Sequence, residues 1–355
     1  MKKSRFLTGA VALIIALSAV LTSCGKTGDT TTSPTPTPTA PTSDNANDTG
    51  YKYGKIQING KSGALCGAPV YIAFEKGFFA EAGFDVELIS ADTETRKIGL
   101  NTGDIPVVNG DFQYFPSIEN GIGAKVVDGL HVGCIKILVP PGSPIKSVQD
   151  LKGKTIAVDE IGGTPDQVTR LWLANNGITA LNNAEVTIVA FGSGDAEVLA
   201  AQNGEVDAIA LWDPYGTLAE KNDGFTVLFD LATEPGFAGR YCCFLYASEK
   251  WVNEKPEQVQ ALVSAFNKAQ EWIAANPEEA VNIIIDSKYS SITDKALATE
   301  LVKSYQFPAS HDHAHPLGNV KDDVLYFTQA LIDAGLLQTT NAQEFADYVY
   351  YNPFA

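Results

Sequence analysis

Positive charge is what this chain lacks most: 25 Lys and Arg stand against 42 Asp and Glu in 355 residues, a formal net charge of −17. That balance makes nucleic acid and anionic lipid surfaces poor electrostatic partners. There is no Ser-His-Asp order, phosphate-binding loop or paired-acid motif, so the common hydrolytic and phosphoryl-transfer chemistries have no carrier here. Beyond the first 23 residues no apolar run reaches the length of about 20 residues that crossing a bilayer requires. Residues 25–50 contain no Leu, Ile, Val or Phe and are mostly Thr, Pro, Ser, Asp, Asn and Gly. Such a stretch cannot bury a core, which predicts a disordered tether over 24–50 with a stretched reach of up to ~75 Å. No short-period internal repeat is visible.

What is present starts with a positive cluster, Lys2, Lys3 and Arg5, followed by the apolar run Phe6 to Val20. About 15 residues is the length of a signal-peptide core and short of a membrane span. Leu21-Thr22-Ser23-Cys24 follows at once and resembles the lipobox of bacterial lipoproteins. The resemblance implies that residues 1–23 are a signal peptide and that Cys24 carries a diacylglycerol. The mature chain would then lie outside the cytoplasm, held to the cell membrane by the lipid alone. Losing three cations with the signal leaves it near −20.

The remaining body of about 305 residues is too large for one typical domain and fits two. Lys55 to Lys61 alternates as a strand, with Ile56 and Ile58 on one face, and Pro69 to Glu81 reads as an amphipathic helix. Further strands are predicted at Phe84 to Ser90, Ile105 to Asn109 and Lys125 to Leu130. The pattern breaks at Pro140-Pro141-Gly142-Ser143-Pro144 and restarts with a strand at Thr155 to Val158 and a helix at Pro165 to Asn176. Strands follow at Glu185 to Phe191, Ala208 to Trp212 and Thr226 to Phe229; beyond Ser248 the chain is mainly helical, with Pro256 to Ala275 the longest periodic stretch. Strands alternating with helices predict an α/β class with parallel sheets and ligands outside the carboxyl ends of the strands.

The segment Gly142 to Val158, GSPIKSVQDLKGKTIAV, resembles a signature of the binding proteins of the nitrate, sulfonate, taurine and thiamine-precursor group. Ala68 to Leu88, Asn203 to Tyr215 and Ala269 to Ala280 agree with it in order and spacing. The resemblance covers roughly residues 55–350. It implies an α/β, two-lobed periplasmic-binding-protein fold (type 2) with two crossover strands at the hinge, near Ile135 to Pro141 and Arg240 to Ala247. Lobe one would be 55–139 plus 245–355, and lobe two 140–244. The implied function is the solute-binding component of an ABC importer, a monomer without catalytic residues or cofactor. It would capture a small sulfonate-, taurine- or nitrate-like solute between the lobes and deliver it to a cognate permease and ATPase. The alternative is a receptor for a thiamine-pyrimidine-type heteroaromatic precursor; a Cys/His metal-dependent protein is the third reading.

The candidate contacts come from both halves. Gly63 to Gly67, with Leu65, Cys66 and Gly67, follows the first strand and matches the family's first ligand loop. Asn109, Gly110, Asp111 and Phe112 end a strand and open a helix, with a cap at Asn109 or Asp111. Gly162, Gly163 and Thr164 precede Pro165-Asp166-Gln167: either they bring a ligand to free amides at a helix start, or Thr164 and Gln167 simply form a capping box. Trp212, Asp213 and Tyr215 offer a flat wall with polar edges, or else an aromatic cap buried in lobe two. Arg96 and Arg240 are the cations expected to meet an acidic group of the solute, Arg240 equally an acid at the hinge. Cys66, Cys134, Cys242 and Cys243, with His131, converge on the cleft floor as small buried groups, a disulfide, or ligand or metal contacts, although neighbouring Cys242 and Cys243 should face opposite sides of a strand. Tyr241-Cys242-Cys243-Phe244-Leu245 resembles the Cys-rich stretch of the thiamine-pyrimidine synthases, whose full run is absent here. His311, His313 and His315 form either a solvated loop or, if extended, a metal site.

Overall fold

A computed structural model describes residues 50–60, 63–309 and 319–355. Cys24, the tether and His311, His313 and His315 lie outside the described residues. In Gly54–Asn59 (β1), Ile56 and Ile58 alternate onto one buried face, and the strand pairs in parallel with Phe84–Ile89 (β2), Ile56 opposite Val86. The connection between them runs through Ala68–Glu75, where every residue from Ala68 to Ala73 is buried. This helix is enclosed all round rather than amphipathic, because it lies beneath the long helix Pro256–Ala275 as well as beside Pro277–Asp286. It stops short of Gly77, whose φ of +74° is left-handed, and a separate turn of helix follows at Phe78–Glu81. The single helix expected over Pro69 to Glu81 is therefore two.

Two further sheets carry the rest. One has the order β3-β10-β4, from Val107–Gly110 (β3), Ala124–His131 (β4) and Cys243–Ser248 (β10). The other is built from Ile135–Val139 (β5), Thr155–Val158 (β6), Thr187–Ala190 (β7), Ala208–Trp212 (β8) and Thr226–Asp230 (β9), in the order β7-β6-β8-β5-β9. Neither is the parallel sheet expected: β10 is antiparallel to both β3 and β4, and the five-stranded sheet is mixed, with β5 antiparallel to β8 and β9 but β6 parallel to β7 and β8. The reason is directional. Strands β6 and β8 end at the cleft, whereas β5 and β10 begin there, having just arrived from the other sheet.

Strand pairing also moves the first crossing. Ile135–Val139, assigned from sequence to the end of lobe one, is an interior strand of the five-stranded sheet, so the chain passes between sheets in Val132, Gly133 and Cys134. It returns over residues 231–242. Along the five-stranded sheet the side chains alternate between two cores. Leu138, Ala157, Ile209 and Leu211 pack against Ala200 and Ala219 of the helices Gly194–Gln202 and Tyr215–Asn222. Ile137, Ile156, Ala208 and Ala210 join the main core, which continues into the first sheet through Leu245 and Tyr246. Full burial of an Ile or Leu of this kind contributes about 1.5–3 kcal/mol. Among the described residues no helix is long and apolar enough to cross a membrane.

Candidate functional site

Strand ends from all three sheets border a cavity of ≈ 360 Å³. Its first wall is set by the ends of β1, β2 and β3. Asn59, at the end of β1, accepts the Ala91 amide at 3.0 Å and so fixes the loop that opens the helix Thr93–Thr102. Asp92 caps that helix by accepting the Thr95 amide at 2.7 Å, and hydrogen bonding from the Thr95 hydroxyl and then this amide holds its carboxyl below the usual range. One turn on, Arg96 reaches the cavity. Its guanidinium donates to the Asn109 carbonyl at 3.2 Å and to Thr93 Oγ1 at 2.9 Å, and it forms no ion pair among the described residues. Its charge is thus positioned by neutral oxygens, while neighbouring Lys97 is paired with Glu94 at 2.7 Å. Gly110 closes this wall, and a Cβ there would lie 2.3 Å from the Tyr114 ring, so only glycine fits.

The second wall comes from β6, β7 and β8. Asp159 and Glu160 follow β6 onto the cavity, and Asp159 accepts the Trp212 indole N–H at 2.9 Å. Burial raises the Asp159 carboxyl, and the Trp212 bond opposes that. Trp212 stands edge-on to Tyr215, with centroids 4.9 Å apart, which leaves the indole braced along the wall. Behind Asp159, Glu197 is wholly buried with neither carboxylate oxygen hydrogen-bonded among the described residues. Burial, helped by Asp159, pushes it up to about 9.

Of the residues singled out from sequence, Cys66, Arg96, Asn109, Gly110, Gly163, Thr164 and Trp212 line the cavity. Others stand behind it. Leu65 donates its amide to the Asp213 carbonyl at 3.3 Å, so these two join the walls to each other. Asp213 turns inward to Thr217, its Oδ1 accepting the hydroxyl at 2.9 Å, and burial raises it to about 6; the Asp213–Pro214 peptide is cis. Gly67 packs beneath the Tyr71 hydroxyl, and Phe112 is a core ring stacked on Phe327 at 4.6 Å. Asp111 is buried and accepts the Gln113 amide at 2.7 Å, with burial and then Cys243 pushing its carboxyl well up. Asn109 caps nothing; the cap is Asp111.

Three expectations are corrected. Thr164 is the first residue of the helix Thr164–Asn175 and not its cap: Gly163 holds that position, no side chain caps it, and the Thr164 hydroxyl is free of the capping box read from sequence. Gly162, left-handed at φ +80°, instead gives its amide to Asp166, which also binds Arg170 at 2.7 Å. Arg240 is absent from the cavity. It pairs with Asp323 at 2.9 Å and lies 3.7 Å from the centre of the Tyr326 ring, because the return crossing carries it to the helix Val320–Asp333. Finally, Cys242 and Cys243 do not diverge. Strand β10 begins only at Cys243, so Cys242 lies in the return crossing just before it, where strand alternation does not apply. One ligand atom from each of His131, Cys134, Cys242 and Cys243 then falls within 4.8 Å of the others.

All four described cysteines are free and buried. Cys66, Cys134 and Cys243 reach the cavity; His131 and Cys242 lie beneath them. Hydrogen bonding to Cys134 lowers Cys66 to about 7 against its burial, whereas burial lifts Cys242 to about 12. Sequence reading overlooked Asn59, Asp92, Thr93, Asp159 and Glu160. Their signal was position alone: each stands at or just beyond the carboxyl end of β1, β2 or β6, where open sheets bind ligands.

A family model described as NMT1/THI5 like matches residues 67–280, more than half of the chain. A Bacillus subtilis (strain 168) protein named for binding aliphatic sulfonates is 28% identical over 284 residues, 75% of this chain and 77% of its own length. Among solved structures, the alkanesulfonate-binding protein SsuA from Xanthomonas axonopodis pv. citri, bound to MOPS, superposes with a TM-score of 0.65 at 18% identity, over 82% of this chain and 96% of that one. The periplasmic nitrate-binding protein NrtA from Synechocystis PCC 6803 gives 0.63 at 18%, over 83% and 85%. At these identities the superpositions speak for the fold, and the fold is the two-lobed binding-protein fold with the sheets described above. The relatives named for a role here are binding proteins of small solutes, not enzymes. The chain belongs to the NMT1/THI5-like family.

Proposed function

We propose that this protein is the solute receptor of an ABC importer, and that its solute is a small zwitterion of the aminosulfonate kind, with taurine as the simplest case. One observation carries the solute class: a cavity in which Arg96, the one cation without an ion pair among its described lining residues, faces the carboxylates of Asp159 and Glu160 from the opposite wall. A bare oxyanion would gain from Arg96 and lose to both acids. A molecule with an acidic head and an amine one short chain away satisfies both walls at once. The volume of ≈ 360 Å³ favours the same choice, being far larger than nitrate needs.

Binding then works by closure. The solute touches both walls only when the lobes, about 55–134 with 243–355 and about 135–242, approach each other. It therefore stabilises the closed form, which a permease with its ATPase can read as occupancy. A lipid on Cys24 and the Thr/Pro-rich tether would keep the monomer near that permease, outside the cytoplasm. The support for this part is the lipobox-like Leu21–Cys24 and the kinship with binding proteins of importers. A second reading rests on Trp212: its indole is fixed by Asp159 along the wall and could stack an amino-substituted heteroaromatic ring such as a thiamine-pyrimidine precursor.

Calorimetric titration with taurine, ethanesulfonate, nitrate and an aminopyrimidine separates these cases. Taurine binding more tightly than ethanesulfonate and nitrate is expected. Tighter nitrate than taurine would overturn the zwitterion, and aminopyrimidine alone would transfer the assignment to the second reading.

A further inference from the structure

We infer that His131, Cys134, Cys242 and Cys243 form a binding site for a single thiophilic d10 cation, Zn(II) or Cu(I), beneath the floor of the solute cavity. Their four ligand atoms lie within 4.8 Å of one another, and the four side chains are buried. Tetrahedral coordination with metal–sulfur bonds of about 2.3 Å brings sulfurs to within about 3.8 Å of each other, so only small side-chain rotations separate the present arrangement from a coordination shell. Three sulfurs and one imidazole are the soft donor set that prefers these ions to Mg(II) or Ca(II).

Two independent observations point to an occupant. With His131 Nδ1 donating to the Val132 carbonyl at 3.1 Å, Nε2 keeps its lone pair, and this atom is fully buried without a hydrogen bond among the described residues. A backbone carbonyl on one ring nitrogen and an unused lone pair on the other is how metal-binding histidines are oriented. The second is the backbone of Cys134, at φ +90° directly after Gly133 at +72°. A non-glycine residue pays strain for this conformation. Here it lets Cys134 turn its side chain back toward Cys242 and Cys243 while its carbonyl accepts the Asp213 amide at 2.9 Å.

Loading is balanced simply. Each coordinating thiol gives its proton to solvent, the Cys242 proton being the one now donated to the Gly133 carbonyl at 2.9 Å, and no electron is exchanged. Because the site spans the first crossing and the return crossing, the ion would tie the two connections together at the point where the lobes pivot. Cys134 and Cys243 also border the cavity, so a bound solute and the ion would be neighbours. The inference does not depend on the identity of that solute.

The test uses the full-length protein, purified under reducing conditions and titrated with Co(II) as a spectroscopic stand-in for Zn(II), and anaerobically with Cu(I) against a chromogenic chelator. About one ion per chain is expected, with sulfur-to-cobalt charge-transfer and tetrahedral d–d bands. The Cys134→Ser/Cys242→Ser variant should fall to background, and the His311→Ala/His313→Ala/His315→Ala variant should keep the ion. If the cysteine variant does not fold, wild-type protein decides: Zn(II) should protect Cys134, Cys242 and Cys243 from alkylation, mapped by mass spectrometry. No charge-transfer band and no thiol protection with any of the three ions would overturn the site. So would loss of the ion in the triple-histidine variant alone. Taurine titrated against metal-free and loaded protein reads the solute separately, so either assignment can fail without the other.

Discussion

On the wall built from β1, β2 and β3, the group offered to a solute is Arg96, held by neutral oxygens while the nearby acid Asp92 is occupied as a helix cap. On the wall built from β6, β7 and β8 the groups are Asp159 and Glu160, with Trp212 bound to Asp159 and a further buried acid, Glu197, behind. Each wall alone would bind weakly and without discrimination. On the proposed function they would act together as a short dipole across the cleft, and selection of a solute and closure of the lobes would become one event. The excess of acid on the second wall is the costly half of that arrangement.

That cost gives the largest expected effect. Glu197 is raised to about 9 in the folded protein, against an ordinary value near 4.5. Its stabilising contribution is therefore complete below pH ~4.5 and is lost as pH rises toward about 9, because the unfolded chain ionises first. The slope is at most about 1.4 kcal/mol per pH unit. Urea midpoints at pH 5, 7 and 9 should fall more steeply for wild type than for Glu197→Gln, which keeps only the smaller loss from Asp213 and Asp111. Parallel pH profiles for the two proteins would mean that Glu197 is not held as a neutral acid by its burial.

Next is the single cation. Arg96→Ala should weaken taurine binding by about 3 kcal/mol, on the order of 100-fold, with the unfolding midpoint of the free protein little changed. Arg96→Lys should recover only part, since an ammonium cannot hold the Asn109 carbonyl and Thr93 hydroxyl while meeting a solute. If Arg96→Ala binds as well as wild type, the first wall does not hold the acidic head of the solute.

Trp212 separates the two readings of the second wall. Trp212→Ala should cost about 2 kcal/mol for any solute that packs on the indole. Trp212→Phe should cost about 1 kcal/mol if the ring merely supplies a surface, the difference being the hydrogen bond to Asp159. For a stacked heteroaromatic, Phe should rescue most of the loss. For a zwitterion whose amine meets Asp159, Phe should rescue little, because the acid is no longer oriented. Calorimetry on both variants with taurine and an aminopyrimidine makes the distinction.

How much of this could be read beforehand depended on whether the cause was local. Thr155–Val158, Ala208–Trp212 and Pro256–Ala275 match their predicted limits because each is an apolar or periodic run between strong breakers. Ile135–Val139 was placed in the wrong lobe: its composition identifies a strand, but membership of a sheet is decided by the direction of arrival from the hinge. Thr164 was misread by one position, which changed a cap into a cavity hydroxyl. The convergence of Cys242 and Cys243 depends on where the strand begins, at Cys243, a boundary that the apolar run Tyr241 to Leu245 does not mark. Asp159 and Glu160, as acids following a strand, look like any solvated turn until the opposite wall is in place.

The smallest effect on binding is expected from the other arginine, and it is the sharpest check on the division between walls and hinge. Arg240 has the same chemistry as Arg96 but a different address: its guanidinium is paired with Asp323 and laid over Tyr326, away from the cavity. Asp323 also accepts the Tyr241 amide at 2.9 Å, so removing Arg240 leaves that carboxylate one partner and not none. Arg240→Ala should cost about 1–2 kcal/mol of stability, read as a lower urea midpoint, through the anchoring of the return crossing. Taurine affinity should stay within a factor of about two. A loss of affinity comparable to that of Arg96→Ala would mean that the return crossing enters the site on binding and that Arg240 meets the solute beside Arg96.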